Sequence, residues 1–339
     1  MVICFRLRRG LVLLLLALLA VGGGGLALWV RGFAAQAQGD YIKWVEFTPS
    51  YSAMAKALEM DIAAHKDGGY GANFAELLAY LGTKYGGNFS RYRSSDLTAV
   101  QKRLAGGETM DEIMAGNKYY GYYKEAYGAV VGNFVGEYIR QRPDPQDDTK
   151  MLTETGYGLK VFSPIARNYG YSHFDDFGNS RSYGFRRKHL GNDLVTSVGT
   201  PVVAVEGGIV EAAGWNQYGG WRIGIRSFDG KRYYYYAHLR KGHPFNAEIK
   251  EGATVEAGEV IGYVGMTGYS NTENVNGMTV PHLHFGMQLI FDESQKEGNN
   301  EIWIDVYQIV RLLEKSRSSV VKNEETKEYH RKYPFLPVD

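Results

Sequence analysis

The segment Val-Pro-His-Leu-His-Phe-Gly-Met-Gln, residues 280–288, sets two of the chain's eight histidines on either side of one leucine. On an extended strand, side chains at i and i+2 point to the same face, so His282 and His284 would stand side by side. Two imidazoles on one face suit a metal ion. Alone, that spacing is a weak signal. A second segment, Arg-Lys-His-Leu-Gly-Asn-Asp (187–193), places His189 four residues before Asp193, and Gly191-Asn192 between them favours a loop. Imidazole and carboxylate are both good zinc ligands, and the carboxylate also offsets the charge of the cation. A third segment, four tyrosines followed by Ala-His-Leu (233–239), ends on His238. As a continuous strand it would put Tyr234, Tyr236 and His238 on one face. Each segment has a bland reading: a turn with an incidental histidine, or a tyrosine-rich strand with a cross-strand histidine. Together they offer more. Two histidines and one carboxylate can hold zinc with a fourth position left for water, the arrangement of a hydrolytic centre. Two further histidines would remain to handle protons.

The elements that must position these residues are strands. Runs such as 200–214, 221–227 and 254–268 are short, alternating or β-branched, and broken by glycines, as in a sandwich or rolled sheet. The 26 tyrosines and 43 glycines fit twisted sheet with many turns. Residues 40–140 read differently. Phe74, Leu77, Leu78 and Leu81 follow a helical period, and Ser94-Ser95-Asp96 and Gly106-Gly107 read as helix start and stop signals. Glu76 and His65 read here as ordinary surface residues of helices. Arg140–Lys150, polar and with two prolines, reads as a linker. A last helix is expected with Val306, Ile309, Val310 and Leu313 on one face, followed by a charged, loosely packed tail.

Cys4 is the only cysteine, so a disulfide within the chain and a cysteine zinc site are both excluded. The formal charge of +1 argues against a broad basic surface for nucleic acid. Arg6, Arg8 and Arg9 precede an apolar run at residues 11–30, long enough as a helix to span about 30 Å, the thickness of a membrane core. The basic residues before it orient the remainder outward. A cleaved signal is the alternative, with Ala35-Gln36-Ala37 as the site. Either delivers the body of the chain outside the cytoplasm.

Five motifs, His-Leu-Gly-Asn-Asp, the run 199–214, Tyr-Tyr-Ala-His-Leu, Ile-Gly-Tyr-Val-Gly-Met-Thr-Gly and Pro-His-Leu-His-Phe, occur in one order over about residues 160–290. In that order the chain resembles the lysostaphin-type zinc metallopeptidases, endopeptidases that cut peptide cross-links of bacterial peptidoglycan. The resemblance implies one Zn2+ per chain held by His189, Asp193 and His284, with His238 and His282 as catalytic residues. Two departures stand out: a longer connection at 271–280, expected on the rim of the groove, and Gly286-Met287-Gln288 after the last motif. Arg181 and Tyr183 lie where such a groove could use a donor. His173 and His243 match no motif and read as loop histidines.

The expectation is therefore an α+β multidomain chain. It comprises an N-terminal transmembrane helix or signal (1–38), an all-α module (40–140), a linker (141–156), a β-rich antiparallel metallopeptidase groove (157–312) and a charged tail (313–339). The expected function is that of a membrane-anchored, extracytoplasmic zinc endopeptidase. Its partners would be peptidoglycan stem or cross-bridge peptides, the membrane through residues 11–30 and envelope proteins at the helical module, with no nucleic acid. The competing readings are a non-enzymatic envelope or sporulation scaffold, a bifunctional wall hydrolase, and a zinc protease of proteins.

Overall fold

A β-hairpin occupies the segment expected to be a linker. The computed structural model describes residues 41–338 apart from 67, 69–71 and 184, and Lys43–Asp339 group as one unit. The expected membrane segment lies outside the described residues. Among those described, no helix is long and apolar enough to cross a membrane.

Helices α1 (Tyr51–Lys66), α2 (Phe74–Tyr85), α3 (Ser94–Ala105), α4 (Met110–Ile113) and α5 (Tyr120–Val131) come first. The predicted face of α2 is buried at Phe74, Leu77, Leu78 and Leu81. Its start is fixed by a reciprocal cap: Glu76 N–H donates to the Asn73 side chain, and the Asn73 N–H donates to the Glu76 carboxylate. Glu76 is thereby committed to its own helix, and it also pairs with Lys124 at 3.0 Å. Buried Asp61 of α1 accepts from Phe74 N–H and from the Tyr157 hydroxyl, both at 2.8 Å. That ties the helices to the sheet strand that follows.

Strands β1 (Val135–Asp144) and β2 (Asp147–Leu159) pair antiparallel from Val135↔Leu159 to Pro143↔Met151. The linker expected over 141–156 is thus corrected. Both faces of this hairpin carry polar residues, so no apolar alternation marks it, and Pro143 is tolerated beside the bulge at its tip. Glu154 accepts from Arg140 at 2.6 Å and from Arg142 at 2.8 Å.

The hairpin β3 (Ser180–Tyr183) and β4 (Phe185–Lys188) leads into β5 (Asn192–Val195) and β6 (Pro201–Val203). Then follow β7 (Gly208–Asn216), β8 (Gly220–Ser227), β9 (Arg232–Ala237), β10 (Thr254–Val255), β11 (Val260–Tyr263), β12 (His282–Leu289) and β13 (Ile302–Ile304). The main sheet runs β10-β7-β8-β9-β12-β13, with β5 added beside β12, and every pairing is antiparallel. Tyr234, Tyr236 and Phe285 are buried on its inner face. Helix α6 (Tyr307–Leu313) buries Ile309, Val310 and Leu313, as its period predicts.

The tail is not loosely packed. Strands β14 (Val320–Lys322) and β15 (Tyr329–Arg331) form a hairpin, and β16 (Phe335–Pro337) pairs with β1. Phe335 packs on Tyr138 and Phe162, with ring centres 4.9 Å apart in each case. Charged residues on the outer face had masked these few apolar anchors.

One buried node joins helices to sheet. Arg232, fully buried, binds Glu206 at 2.8 and 3.0 Å and Asp229 at 2.7 Å, and donates to the Ala129 carbonyl of α5 at 2.7 Å. Glu206 also accepts from Tyr234 and Asn133, each at 2.6 Å. A buried pair stripped of one partner leaves an uncompensated charge. Arg232→Ala is therefore expected to destabilise the chain by about 3–5 kcal/mol, read by chemical denaturation.

Candidate metal centre

The register of the sheet builds the site. On β12, His282 and His284 share the face opposite buried Leu283 and Phe285. His284 lies directly across from Asp193 of β5, which brings their side chains within reach. His189 enters from the loop before β5. Its Nε2 is 3.0 Å from Asp193 Oδ1 and 3.0 Å from His284 Nδ1, and those two atoms are 2.9 Å apart. One donor atom from each of the three lies within 4.8 Å of the others. Gly191 is required by this closeness: a Cβ there would lie 2.7 Å from the His284 ring and 2.6 Å from the Phe285 carbonyl.

His238 departs from simple alternation. Strand β9 ends at Ala237, and His238 takes a left-handed backbone, φ 62°. The expected shared face with Tyr234 and Tyr236 is corrected. Those two rings point into the core, whereas His238 turns to the groove, its ring 4.9 Å from His282 and 5.9 Å from His284. Its Nδ1 is 2.9 Å from the Thr267 carbonyl, and His282 Nδ1 is 2.8 Å from the Val280 carbonyl. A carbonyl only accepts, so each Nδ1 carries the proton and each Nε2 is left unprotonated. His282 Nε2 stands 3.9 Å from Asp193 Oδ1.

The electrostatics favour ligand-ready forms. Burial works to raise the Asp193 carboxyl, but the bonds and charges of His189 and His284 win and hold it far below the carboxylate range. Burial pushes His284 down, against the pull of Asp193. Burial, then the neighbouring imidazoles, push His238 well below its ordinary value. An anionic carboxylate and neutral imidazoles are the protonation states that bind metal. The donor set of two imidazoles and one carboxylate fits a single zinc ion.

Sequence reasoning missed Asp176. Its Oδ1 is 3.0 Å from His189 Nδ1, so it accepts the proton of the ring nitrogen that faces away from the cluster. It sits in the stretch His-Phe-Asp-Asp-Phe-Gly-Asn, where no spacing rule marks it. Arg181, expected as a groove donor, pairs with Asp176 and stands 3.6 Å from Asp193 Oδ2. The Tyr183 side chain lies outside those described. His173 and His243 occupy loops outside the cluster; His173 Nδ1 meets Asn192 Oδ1 at 2.6 Å. The cluster opens on a groove of about 810 Å3, walled in part by Tyr218, Tyr235, Tyr269 and Trp303. The connection 271–280 is pinned at its rim. Asn274 accepts from the Trp221 indole at 2.9 Å and from Gly242 N–H at 2.7 Å, and Met278 faces the groove.

Two imidazoles, a carboxylate and two adjacent imidazoles on the open face of an antiparallel sheet define a mononuclear metal centre of the hydrolase type. Residues 187–298 match Peptidase family M23. Over 152 residues it is 40% identical to the L-Ala--D-Glu endopeptidase of Bacillus subtilis, covering 45% of this chain and 43% of that protein. Over 98 residues it is 43% identical to lysostaphin of Staphylococcus simulans, covering 29% and 17%. The chain thus spans less than half the length of these curated relatives. A crystal structure described as that of a glycyl-glycine endopeptidase, LytM, of Ruminococcus gnavus shares the fold. It aligns with a TM-score of 0.51 at 24% identity, over 82% of this chain and 92% of that one.

Proposed function

We propose that this chain is a zinc endopeptidase that hydrolyses peptide bonds of bacterial peptidoglycan, held outside the cytoplasm by residues 11–30. The convergence of His189, Asp193 and His284 beside His238 and His282 carries this reading. The domain family and the endopeptidase names of its relatives support it. In this reading His189 Nε2, Asp193 Oδ1 and His284 Nδ1 hold the ion. An ion held there would supply Lewis-acid chemistry, lowering the pKa of water and polarising a carbonyl. Asp176 fixes the tautomer and ring orientation of His189. One of His238 and His282, through the lone pair of its Nε2, accepts the proton of the attacking water. That imidazolium then delivers the proton to the leaving amine as the peptide C–N bond breaks. The tyrosine-lined groove orients the peptide, and the pinned 271–280 connection limits what fits at one end. The helical region acts as a support, locked to the sheet through Arg232 and Asp61.

Purified cell wall treated with the full-length protein and zinc is expected to release muropeptides bearing a new amine and a new carboxyl terminus. Mass analysis should show none after treatment with a chelator, and their return on adding zinc. Casein should stay intact. Release of glycan fragments alone, or of nothing, would overturn the reading.

A further inference from the structure

A second cavity, of about 480 Å3, opens where α1, the β1–β2 hairpin and the C-terminal strands meet. Its wall carries Arg140, Arg142, Arg167, Lys315, Arg317 and Arg331, and no carboxylate lines it. Their charge is poorly compensated. Arg140 and Arg142 share the single carboxylate of Glu154. Arg317 reaches Glu314 at 3.4 Å and otherwise donates to the backbone carbonyls of Ile165, Ala166 and Tyr169. Arg167 donates to the Arg317 carbonyl at 3.2 Å, and half-buried Arg331 to that of Ala257. These carbonyls are neutral. Glu256 and Glu259 act on Arg331 only through space. Six cations therefore face two paired carboxylates, Glu154 and Glu314, with Glu256 and Glu259 acting on Arg331 from a distance, so positive charge is in excess in one cavity of a chain whose formal charge is only +1.

Clustered like charges repel; the half-buried Arg142, Arg317 and Arg331 are screened less than the exposed Arg140, Arg167 and Lys315. The arrangement is costly in the free protein and is relieved by a bound anion. Guanidinium forks match oxyanions through paired N–H bonds. The carbonyl bonds hold Arg167, Arg317 and Arg331 in place beforehand, so less ordering is lost when a ligand arrives. We propose that this cavity is a second ligand site, built for a phosphate-bearing anion. A multiply charged phosphate answers an excess of several cations better than a single carboxylate does. The phosphate can belong to a soluble diphosphate or to a phospholipid headgroup.

The test uses the full chain and two probes. Inorganic pyrophosphate is titrated calorimetrically, and vesicles of phosphatidylcholine, with and without phosphatidylglycerol, are co-sedimented. The comparison is Arg167→Gln/Lys315→Gln, both exposed residues, with its fold checked by circular dichroism. Pyrophosphate binding that weakens at least about tenfold in the variant supports the site and identifies soluble phosphate as its source. Binding confined to phosphatidylglycerol vesicles, and weakened alike, supports the site and identifies a headgroup. Binding of neither probe, or binding that the variant retains, overturns it. Attachment through residues 11–30 would carry the chain to vesicles with and without phosphatidylglycerol alike and survive the substitutions, so only sedimentation that depends on phosphatidylglycerol is scored, and its retention by the variant overturns the site.

Discussion

Asp193→Ala protein is expected to emerge from purification without stoichiometric zinc and to hydrolyse cell wall at least about 10³-fold more slowly than the parent. Asp193 is the hub of the cluster. Its Oδ1 lies within 3.0 Å of both ligand nitrogens, and it supplies the only negative charge among the three. Without it, two neutral imidazoles must hold a dication unaided. A metal centre contributes several kcal/mol of charge stabilisation, and each 1.36 kcal/mol is worth a factor of about ten in rate. His284→Ala should behave in the same way. Asp176→Ala should be milder, with zinc affinity lower by about 10–100-fold, because it removes only the acceptor behind His189. Metal content by elemental analysis, and affinity by competition with a chelating dye, separate the three variants. Full zinc occupancy in Asp193→Ala would show that the ion, if bound, sits elsewhere.

The part of the site legible in the sequence was the part governed by short-range periodicity. His282 and His284 face the same way because strand alternation leaves no other choice, and that needs no tertiary information. The direct opposition of His284 and Asp193 is different in kind. It depends on the register of β5 against β12, between residues 91 positions apart in sequence, and no local pattern encodes it. The resemblance to a known family supplied that pairing; spacing did not. Asp176 was missed for the same reason, since its partner His189 is fixed only once the loops around β3 and β4 fold back. The strand face expected for His238 is the one the structure inverts. A single left-handed residue inverts the alternation; histidine is enriched at positive φ, but such residues are still only a few per cent, so the residue type alone does not mark the turn. The hairpin β1–β2 and the C-terminal strands were missed because polar residues cover their exposed faces. The anchors that decide, Phe335 against Tyr138 and Tyr157 against Asp61, are too few to make a period. The helix α2 was plain because burial, capping and the αL Gly86 that ends it all agree.

Replacing either histidine that lies outside the ligand set is expected to separate metal from chemistry. His282→Ala and His238→Ala should keep zinc near one per chain and each lose about 10²–10⁴-fold in activity, the range for removing a positioned acid or base. Both rings are locked by Nδ1–H bonds to backbone carbonyls, Val280 for one and Thr267 for the other, so each presents a defined Nε2 to the groove. Neither contributes an atom to the three-residue cluster. His238 needs a further control, because its left-handed backbone sits between two strand-like bonds, His238 N–H to Gly219 and Gly265 N–H to His238. Alanine there adds strain to the loss of the ring. Asparagine tolerates that conformation better, so His238→Asn removes the imidazole while sparing the turn. An equal loss in the asparagine and alanine variants, with unchanged thermal stability in the former, assigns the effect to the ring. The double variant discriminates further. Groups that act as a unit on one proton path lose little more together than singly, whereas independent groups multiply their losses. With the two rings 4.9 Å apart, the first outcome is expected. Full activity in both single variants would remove the proton chemistry from this pair and leave the metal cluster without a base.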